Sequence, residues 1–192
     1  MDKDQKKTSI MPTPSFYKRI VHILQAMLMV LPFGCAQNIP ADKPNVKNPE
    51  FDQRLQRLLR FSTPLYSVQE LHEQQDSVYI LDTRSREEFE VSHIPGARYL
   101  GYRNLQESTL EDIPKEAPIV LYCSVGYRSE KIGNRLREQG YSKVYNLYGS
   151  IFEWVNAGYP LVDPQGSPTD TIHTYNRNWS RWVNQPTVKK TW

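Results

Sequence analysis

The chain has 192 residues, of which 39% are hydrophobic, and this composition suits one globular domain of roughly 100 residues with polar extensions. The formal net charge of +3 comes from the amino-terminal end, because residues 1–34 carry five of the 24 basic side chains and only two of the 21 acidic ones. The remainder is electrically balanced, which excludes an electrostatic case for nucleic-acid binding. The two cysteines, Cys35 and Cys123, are too few for a secreted disulfide framework.

The amino-terminal segment has the organisation of a secretion signal. Lys18 and Arg19 precede a mostly apolar run of 14 residues, 20–33, and Gly34 and Cys35 follow it. A basic region, an apolar run of this length and a small residue at the cleavage point are typical of a signal peptide, and the run is short for a membrane span. A buried helix of the domain itself is the alternative, but three prolines closely follow the run and argue against it.

Residues 31–35, Leu-Pro-Phe-Gly-Cys, resemble a bacterial lipoprotein cleavage box. The resemblance implies a signal peptide over residues 1–34, cleavage before Cys35 and lipidation of Cys35. The protein is then expected to be secreted across the bacterial inner membrane and held by a lipid anchor in the cell envelope, facing the periplasm. A plain signal peptide without a lipid is the alternative.

Residues 35–62 are predicted to form a tether and a short amphipathic helix. Residues 36–50 are rich in Asn, Gln and Pro, a composition typical of a disordered segment. From Phe51 to Phe61, apolar residues recur at helical spacing, and arginines occupy the intervening positions 54, 57 and 60. We expect the apolar stripe to cap one face of the domain and the arginines to face solvent. Contact of the arginines with lipid headgroups is the alternative.

Between residues 63 and 163, short apolar runs alternate with helical segments. The predicted strands cover 78–81, 97–100, 118–122 and 143–147. The predicted helices cover 67–74, 85–91, 129–139 and 150–157, and a capping box of Ser67 and Glu70 opens the first. Such alternation predicts an α/β fold with a central parallel sheet and helices on both faces. Ligands of such sheets bind beyond the carboxyl ends of the strands, where we expect Asp82, Cys123 and Tyr148–Gly149.

One cysteine occupies a position that favours negative charge. Cys123 ends an apolar strand, and a short turn and a helix start follow it. The amide groups of the turn and the positive end of the helix dipole favour the thiolate, and Arg128 adds a fixed cation. Because the thiolate is the reactive form of cysteine, this arrangement indicates sulfur chemistry. An inert buried cysteine is the alternative.

Four motifs together resemble the rhodanese domain over about residues 63–163, in that family's order and at its spacing. They are Leu81-Asp82-Thr83-Arg84 with Glu88-Phe89, His93-Ile94-Pro95-Gly96-Ala97, Cys123-x-x-Gly126-x-Arg128-Ser129, and Leu147-Tyr148-Gly149 through Trp154 to Gly158-Tyr159-Pro160. The chain departs from the family pattern at Ser92, where a glycine usually precedes the histidine, and at Ser150, where a second glycine is usual.

The resemblance implies a rhodanese-like fold and sulfurtransferase activity. In that family the loop cysteine takes a sulfane sulfur from a donor such as thiosulfate or a persulfide, becomes a persulfide, and passes the outer sulfur to a thiophilic acceptor. The implied catalytic residues are Cys123, as nucleophile and sulfur carrier, and Arg128. The implied acceptor is cyanide, a small thiol or a partner protein's thiol. No cofactor, metal or nucleic acid is expected.

The resemblance also implies roles for neighbouring residues. Substrate binding is expected of Ser124, Val125, Gly126, Tyr127, Ser129 and Arg84. Structural support is expected of Asp82, Glu88 and His93. Two of these roles have alternatives, because Arg84 can instead pair with Asp82 to hold the loops, and His93 can act as a general base. Tyr127 is expected to shape the entrance of the site.

Three other functions compete with sulfur transfer. The cysteine loops of phosphatases with related folds follow the pattern Cys-x5-Arg, whereas the loop from Cys123 to Arg128 in this chain follows Cys-x4-Arg. The tighter ring suits one sulfur atom better than a tetrahedral oxyanion. A rhodanese-like binding module without turnover and a thiol redox sensor in the cell envelope are the remaining alternatives.

The tail, residues 164–192, contains an unusual number of aromatic side chains, among them Tyr175, Trp179, Trp182 and Trp192. A purely disordered tail rarely carries this much aromatic area. We expect the tail to wrap back on the domain or to meet a partner.

Overall fold

A five-stranded sheet, in which every neighbouring pair of strands is parallel, organises the computed structural model, which describes residues 39–192. Its strands in chain order are β1 (Leu65–Tyr66), β2 (Tyr79–Asp82), β3 (Arg98–Tyr99), β4 (Pro118–Tyr122) and β5 (Lys143–Leu147). In space the order is β1-β5-β4-β2-β3, so β4 is central. The carboxyl ends of β2, β4 and β5 therefore lie side by side.

Six helices accompany these strands in the described part of the chain. They are α1 (Pro49–Leu58), α2 (Val68–Glu73), α3 (Arg86–Val91), α4 (Tyr127–Glu138), α5 (Ser150–Asn156) and α6 (Arg177–Ser180). Short 3-10 turns cover Gln75–Ser77 and Glu107–Leu110. Capping boxes begin α2 at Ser67 and α3 at Ser85, in each case with the glutamate three residues later, so side chains satisfy amides that the first turn leaves free.

Apolar side chains of the central strand point alternately to two cores. Val120 and Tyr122 belong to a cluster that includes residues of α1, α2 and α5, whereas Ile119 and Leu121 belong to a cluster with residues of α4. This alternation is the two-residue period of a strand, and a parallel sheet needs cover on both sides. The predicted α/β class, with a central parallel sheet and helices on both faces, is confirmed.

Element boundaries agree best where apolar runs are long. The strands predicted at 118–122 and 143–147 have those bounds, whereas β3 is shorter than predicted and β2 ends one residue later. Helix α4 begins at Tyr127, two residues before the predicted start, because Gly126 has a left-handed φ of 104° and acts as its N-cap. The two-residue strand β1 carries too little pattern to be predicted.

The carboxy-terminal residues pack onto the domain. They form β6 (Leu161–Val162) with β7 (Pro168–Thr169), and β8 (Thr171–His173) with β9 (Lys189–Thr191). The side chains of Ile172 and Val183 are fully buried, and the Trp182 ring stacks on Phe51 with ring centroids 5.4 Å apart. Of the two expectations for the tail, the structure shows the one in which it wraps back.

The amino-terminal predictions lie mostly outside the described residues. This holds for the signal peptide over residues 1–34 and for Cys35. Residues 43–48 differ from the tether prediction, because Lys43 pairs with Asp52 at 2.9 Å and the Lys47 amide donates to the buried carboxylate of Glu153 at 2.8 Å. Within residues 39–192, no helix has both the length and the apolar character needed to cross a membrane.

Candidate active site

The predicted nucleophile lies at the carboxyl end of the central strand, within a turn of backbone amides. Cys123 directly follows β4, and its side chain is 1% exposed. The Gly126 amide donates to Cys123 Sγ at 3.1 Å. The left-handed Gly126 folds the chain back toward the sulfur, and Asn146 Nδ2 holds this turn by donating to the Gly126 carbonyl at 3.1 Å. Glycine tolerates this φ without steric cost, which explains its place in the loop.

The electrostatic surroundings of the sulfur favour the thiolate. Burial raises the pKa of the Cys123 thiol, but the charge of Arg128 and the amides of Ser129, Val125 and Gly126 lower it by more, so the pKa lies below its ordinary value. Charge and hydrogen bonds offered to the ionised form outweigh desolvation here. The site therefore favours the thiolate over the thiol, and the thiolate is the reactive form of cysteine.

A buried carboxylate fixes the predicted catalytic arginine. Glu88 of α3 is 2% exposed, and its two oxygens accept from Arg128 Nη1 at 2.6 Å and from Nη2 at 2.8 Å. Ser124 Oγ completes the cluster by donating to Glu88 at 3.0 Å and accepting from Arg128 at 2.9 Å. Burial alone would raise the pKa of Glu88. The hydrogen bonds and charge of Arg128 lower this pKa by more than burial raises it, and the result is a pKa of about 2. Bidentate pairs of this kind define the orientation of a guanidinium.

Arg84 lies at the inner wall of the cavity and is held by two partners. Its side chain is fully buried, and Nη2 donates to Asp82 at 2.6 Å and to the Ser92 carbonyl at 2.6 Å. A buried guanidinium needs a charge partner, and Asp82 supplies it. These contacts fit the alternative role, in which Arg84 pairs with Asp82 to hold the loops, and the expected contact of Arg84 with substrate stays a prediction.

The remaining predicted residues divide between the loop and its surroundings. Ser129 turns its hydroxyl away from the cavity and donates to Asn146 Oδ1 at 2.8 Å, so only its amide faces the sulfur. Tyr127 is 40% exposed at the rim. The His93 ring stacks on Phe89 with centroids 4.0 Å apart, and burial lowers its pKa. The His93 backbone pairs with Val162, a position that suits structural support.

Sequence reasoning treated Ser150 only as a departure from the family pattern, yet it supports the loop. Its φ of 54° lies in the left-handed region, where glycine is the favoured residue. The Ser150 hydroxyl accepts from the Cys123 amide at 3.2 Å and donates to the Leu147 carbonyl at 3.1 Å. The hydroxyl thus connects the end of β5 to the reactive cysteine.

The loop opens into a cavity of about 950 Å³. Its lining includes three loop residues, Cys123, Val125 and Tyr127, and three other residues of the domain, Tyr99, Tyr102 and Arg103. Four further lining residues come from outside the predicted domain, and sequence reasoning missed them as cavity residues. They are Leu58 of α1 and, from the carboxy-terminal residues, His173, Tyr175 and Trp179. For the three carboxy-terminal residues, the only signal in the sequence was the aromatic content of the tail.

No group of three or more His, Cys, Asp or Glu side chains that could hold a metal ion occurs among residues 39–192.

Comparison with known proteins agrees with this geometry. The family of the rhodanese-like domain matches residues 66–157. A protein of Allochromatium vinosum named sulfurtransferase is 37% identical over 91 residues, which cover 47% of this chain and 84% of that protein. The thiosulfate sulfurtransferase GlpE of Coxiella burnetii is 37% identical over 86 residues, which cover 45% of this chain and 78% of the relative.

Among solved structures, the rhodanese-like domain of an Anabaena protein gives a TM-score of 0.49 at 24% identity, covering 52% of this chain and 79% of that one. The sequence relatives establish that the chain belongs to the rhodanese family. It is an enzyme of the rhodanese type, a sulfurtransferase.

Proposed function

We propose that the enzyme moves a sulfane sulfur from a donor such as thiosulfate or a persulfide to a thiophilic acceptor, through a persulfide on Cys123. The observation that carries this proposal is the Gly126 amide, which donates to Cys123 Sγ at 3.1 Å in a loop that lowers the pKa of the thiol. The name of the Coxiella relative supports thiosulfate as a donor.

In the first step, the Cys123 thiolate attacks the outer sulfur of thiosulfate. A sulfur–sulfur bond forms to Cys123 while the sulfur–sulfur bond of the donor breaks, and sulfite leaves with the electron pair. The negative charge then resides on the outer sulfur of the persulfide. The amides of the loop are fixed before the reaction, so they stabilise this charge without reorganising.

In the second step, an acceptor such as cyanide or a thiolate attacks the outer sulfur. The bond to Cys123 Sγ breaks, and its electron pair returns to Cys123 as a thiolate. The lowered pKa makes Cys123 a good leaving group as well as a ready nucleophile. No external oxidant or reductant is consumed over the cycle.

We assign to Arg128 two actions in this cycle. Its charge lowers the pKa of Cys123, and its position next to the loop attracts an anionic donor. Glu88 offsets part of that charge but fixes the guanidinium against Ser124. Arg128 therefore acts as a hydrogen-bond donor with a fixed position rather than as a mobile cation.

The direct test compares wild type with Cys123→Ser in thiocyanate formation from thiosulfate and cyanide. We expect a loss of more than about 1,000-fold, since the variant lacks the nucleophile. Cys35→Ser is the matched control and should keep wild-type turnover. Equal rates for wild type and Cys123→Ser would instead favour a binding module.

Intact-mass measurement separates sulfur transfer from redox sensing. After thiosulfate, wild type should gain about 32 Da, the mass of one sulfur atom, and Cys123→Ser should gain nothing. A sensor would instead gain oxygen after peroxide, at about 16 Da each, and nothing after thiosulfate.

We further propose that the enzyme is secreted and lipid-anchored through Cys35, with the domain facing the periplasm. The order of basic residues, apolar run and Gly34-Cys35 supports this location. Mass spectrometry of the protein from native membranes should find an acylated Cys35 as the first residue. Retention of residues 1–34 in that material would contradict the proposal.

A further inference from the structure

One wall of the catalytic cavity is built by residues outside the matched rhodanese region. His173, Tyr175 and Trp179 line the cavity together with Cys123, and all three follow residue 157, where the family match ends. The Tyr175 ring lies over the Arg128 guanidinium, 5.4 Å from Cζ to the ring centroid. This segment, 173–179, is called the carboxy-terminal wall below.

The carboxy-terminal wall is held in place by buried groups. Thr174 is fully buried, and its amide and hydroxyl both donate to the Thr191 carbonyl, at 2.7 and 3.0 Å. Tyr175 has a φ of 65°, a conformation that costs a non-glycine residue free energy and persists only when its surroundings impose it. Its ring is nevertheless 55% exposed at the mouth of the cavity. The wall is a built surface with an aromatic ring left available.

The cavity is larger than the proposed transfer from thiosulfate to cyanide requires. Thiosulfate and cyanide are each a few atoms, whereas about 950 Å³ lies at the upper end of the range for pockets that hold organic ligands. Tyr175, Trp179 and Leu58 supply aromatic and aliphatic surface. At the exposed rim, Arg86 and Arg103 outnumber the single carboxylate of Glu87.

We propose that the carboxy-terminal wall is a subsite for the organic part of the sulfur acceptor, and that the acceptor is a small organic thiol carrying an aromatic ring and a carboxylate. This inference rests on the proposed function. The ring packs against Tyr175 and Trp179, and the carboxylate lies toward Arg103. The acceptor's thiolate attacks the outer sulfur of the Cys123 persulfide, an organic persulfide forms, and the electron pair of the broken bond returns to Cys123.

The test measures kcat/KM for 4-mercaptobenzoate and for cyanide, with thiosulfate as donor in both assays. We expect Tyr175→Ala and Trp179→Ala each to lower the ratio of thiol to cyanide kcat/KM about tenfold, because an aromatic contact is lost for the organic acceptor alone. Tyr175→Phe should keep the wild-type ratio. Trp192→Ala removes an exposed tryptophan that does not line the cavity, and it should keep both rates.

Two further arms keep the test decisive if an alanine variant fails to fold. With wild type, 4-methylbenzoate should inhibit competitively against 4-mercaptobenzoate, and absence of inhibition at high concentration would overturn the subsite. Arg103→Gln should lower kcat/KM about threefold or more for 4-mercaptobenzoate relative to uncharged 4-methylbenzenethiol. An unchanged ratio in that variant would overturn the carboxylate assignment.

The outcomes separate the two proposals. Turnover of cyanide that survives Cys123→Ser would refute the persulfide mechanism itself. Turnover that depends on Cys123 but shows the same thiol-to-cyanide ratio in wild type, Tyr175→Ala and Trp179→Ala would refute only the subsite.

Discussion

The catalytic loop and the carboxy-terminal wall face each other across one cavity, yet they are made from different parts of the chain. The loop, residues 123–128, presents backbone amides to a single sulfur, and one left-handed glycine shapes it. The wall presents aromatic side chains and is held by the fully buried Ile172 of β8 and by the fully buried Thr174. The backbone amides of the loop stabilise a charge that forms with every substrate. The side chains of the wall contact the part of the substrate that differs from one acceptor to another. The comparison suggests that reactivity and selectivity can change independently in this enzyme.

The largest expected effect tests whether the carboxy-terminal residues are part of the folded domain. Trp182→Ala should lower the free energy of unfolding by about 4 kcal/mol, because it removes a ring that is 8% exposed and stacked on Phe51. Urea unfolding gives the measurement, and Trp192→Ala, at an exposed position, should stay within about 0.5 kcal/mol of wild type. Similar small losses in both variants would mean that the wall folds apart from the loop.

The next effect concerns the loop. Arg128→Gln should cost about 3 kcal/mol of unfolding free energy, because it leaves the buried Glu88 carboxylate without its ion-pair partner. The double variant with Glu88→Gln should recover part of this loss, since the uncompensated charge is then removed. A double variant that loses the sum of the single effects would show that the two side chains act separately.

Acid stability gives an independent measure of the same pair. The folded-state pKa of Glu88 is about 2, below its ordinary value of 4.5, so its contribution is fully present above pH 4.5 and is lost as pH falls toward 2. The contribution amounts to about 3 kcal/mol. Unfolding free energies of wild type and Glu88→Gln should therefore converge over this interval, and parallel curves would contradict the assigned pKa.

A smaller effect appears in the reactivity of the sulfur. Because the pKa of Cys123 is below its ordinary value, the rate of alkylation by iodoacetamide should rise with pH, with a midpoint below that of an ordinary cysteine. In Arg128→Gln the rise should move to higher pH, since the cation that favours the thiolate is absent. Trp179→Ala should leave the pH profile of alkylation unchanged, which would show that the wall does not affect the pKa of Cys123. Equal shifts of the profile in Trp179→Ala and Arg128→Gln would show that it does.

The smallest effect concerns Ser150. Ser150→Ala should cost about 1 kcal/mol of unfolding free energy, because it removes the hydroxyl that bonds the Cys123 amide and the Leu147 carbonyl. Ser150→Gly loses the same bonds but relieves the left-handed φ of 54°, so its cost should be smaller. Equal costs would mean that the backbone at this position is unstrained.

The sequence was most informative at positions where a single residue type has a single physical role. The apolar run before Cys123, the glycine at 126 and the cation at 128 predicted a thiolate loop, and the alternation of short runs predicted a parallel sheet. The pairing of Glu88 with Arg128 escaped prediction because the two residues are 40 positions apart and meet only in the fold. Glu88 in isolation reads as a helix-capping residue, which it also is.

The carboxy-terminal wall escaped prediction for a different reason. Strands β8 and β9 have three residues each, and every residue of β9 is exposed, so neither shows the periodicity that identifies a strand. The aromatic content indicated packing but not its place. The pairing of these strands and the contact of β8 with α3 bring His173 and Tyr175 to the cavity.

The parallel pairing of β8 with β9 has a consequence for the integrity of the enzyme. Lys189–Thr191 is exposed along its whole length, yet it supplies the backbone partners that hold Thr171–Thr174 in place. Proteolytic cleavage just before Lys189 would release these partners, whereas the cysteine loop, about 60 residues earlier in the chain, would keep its amides. A clipped preparation could thus retain thiosulfate turnover and yet lose discrimination among acceptors, so intact mass should accompany every kinetic comparison.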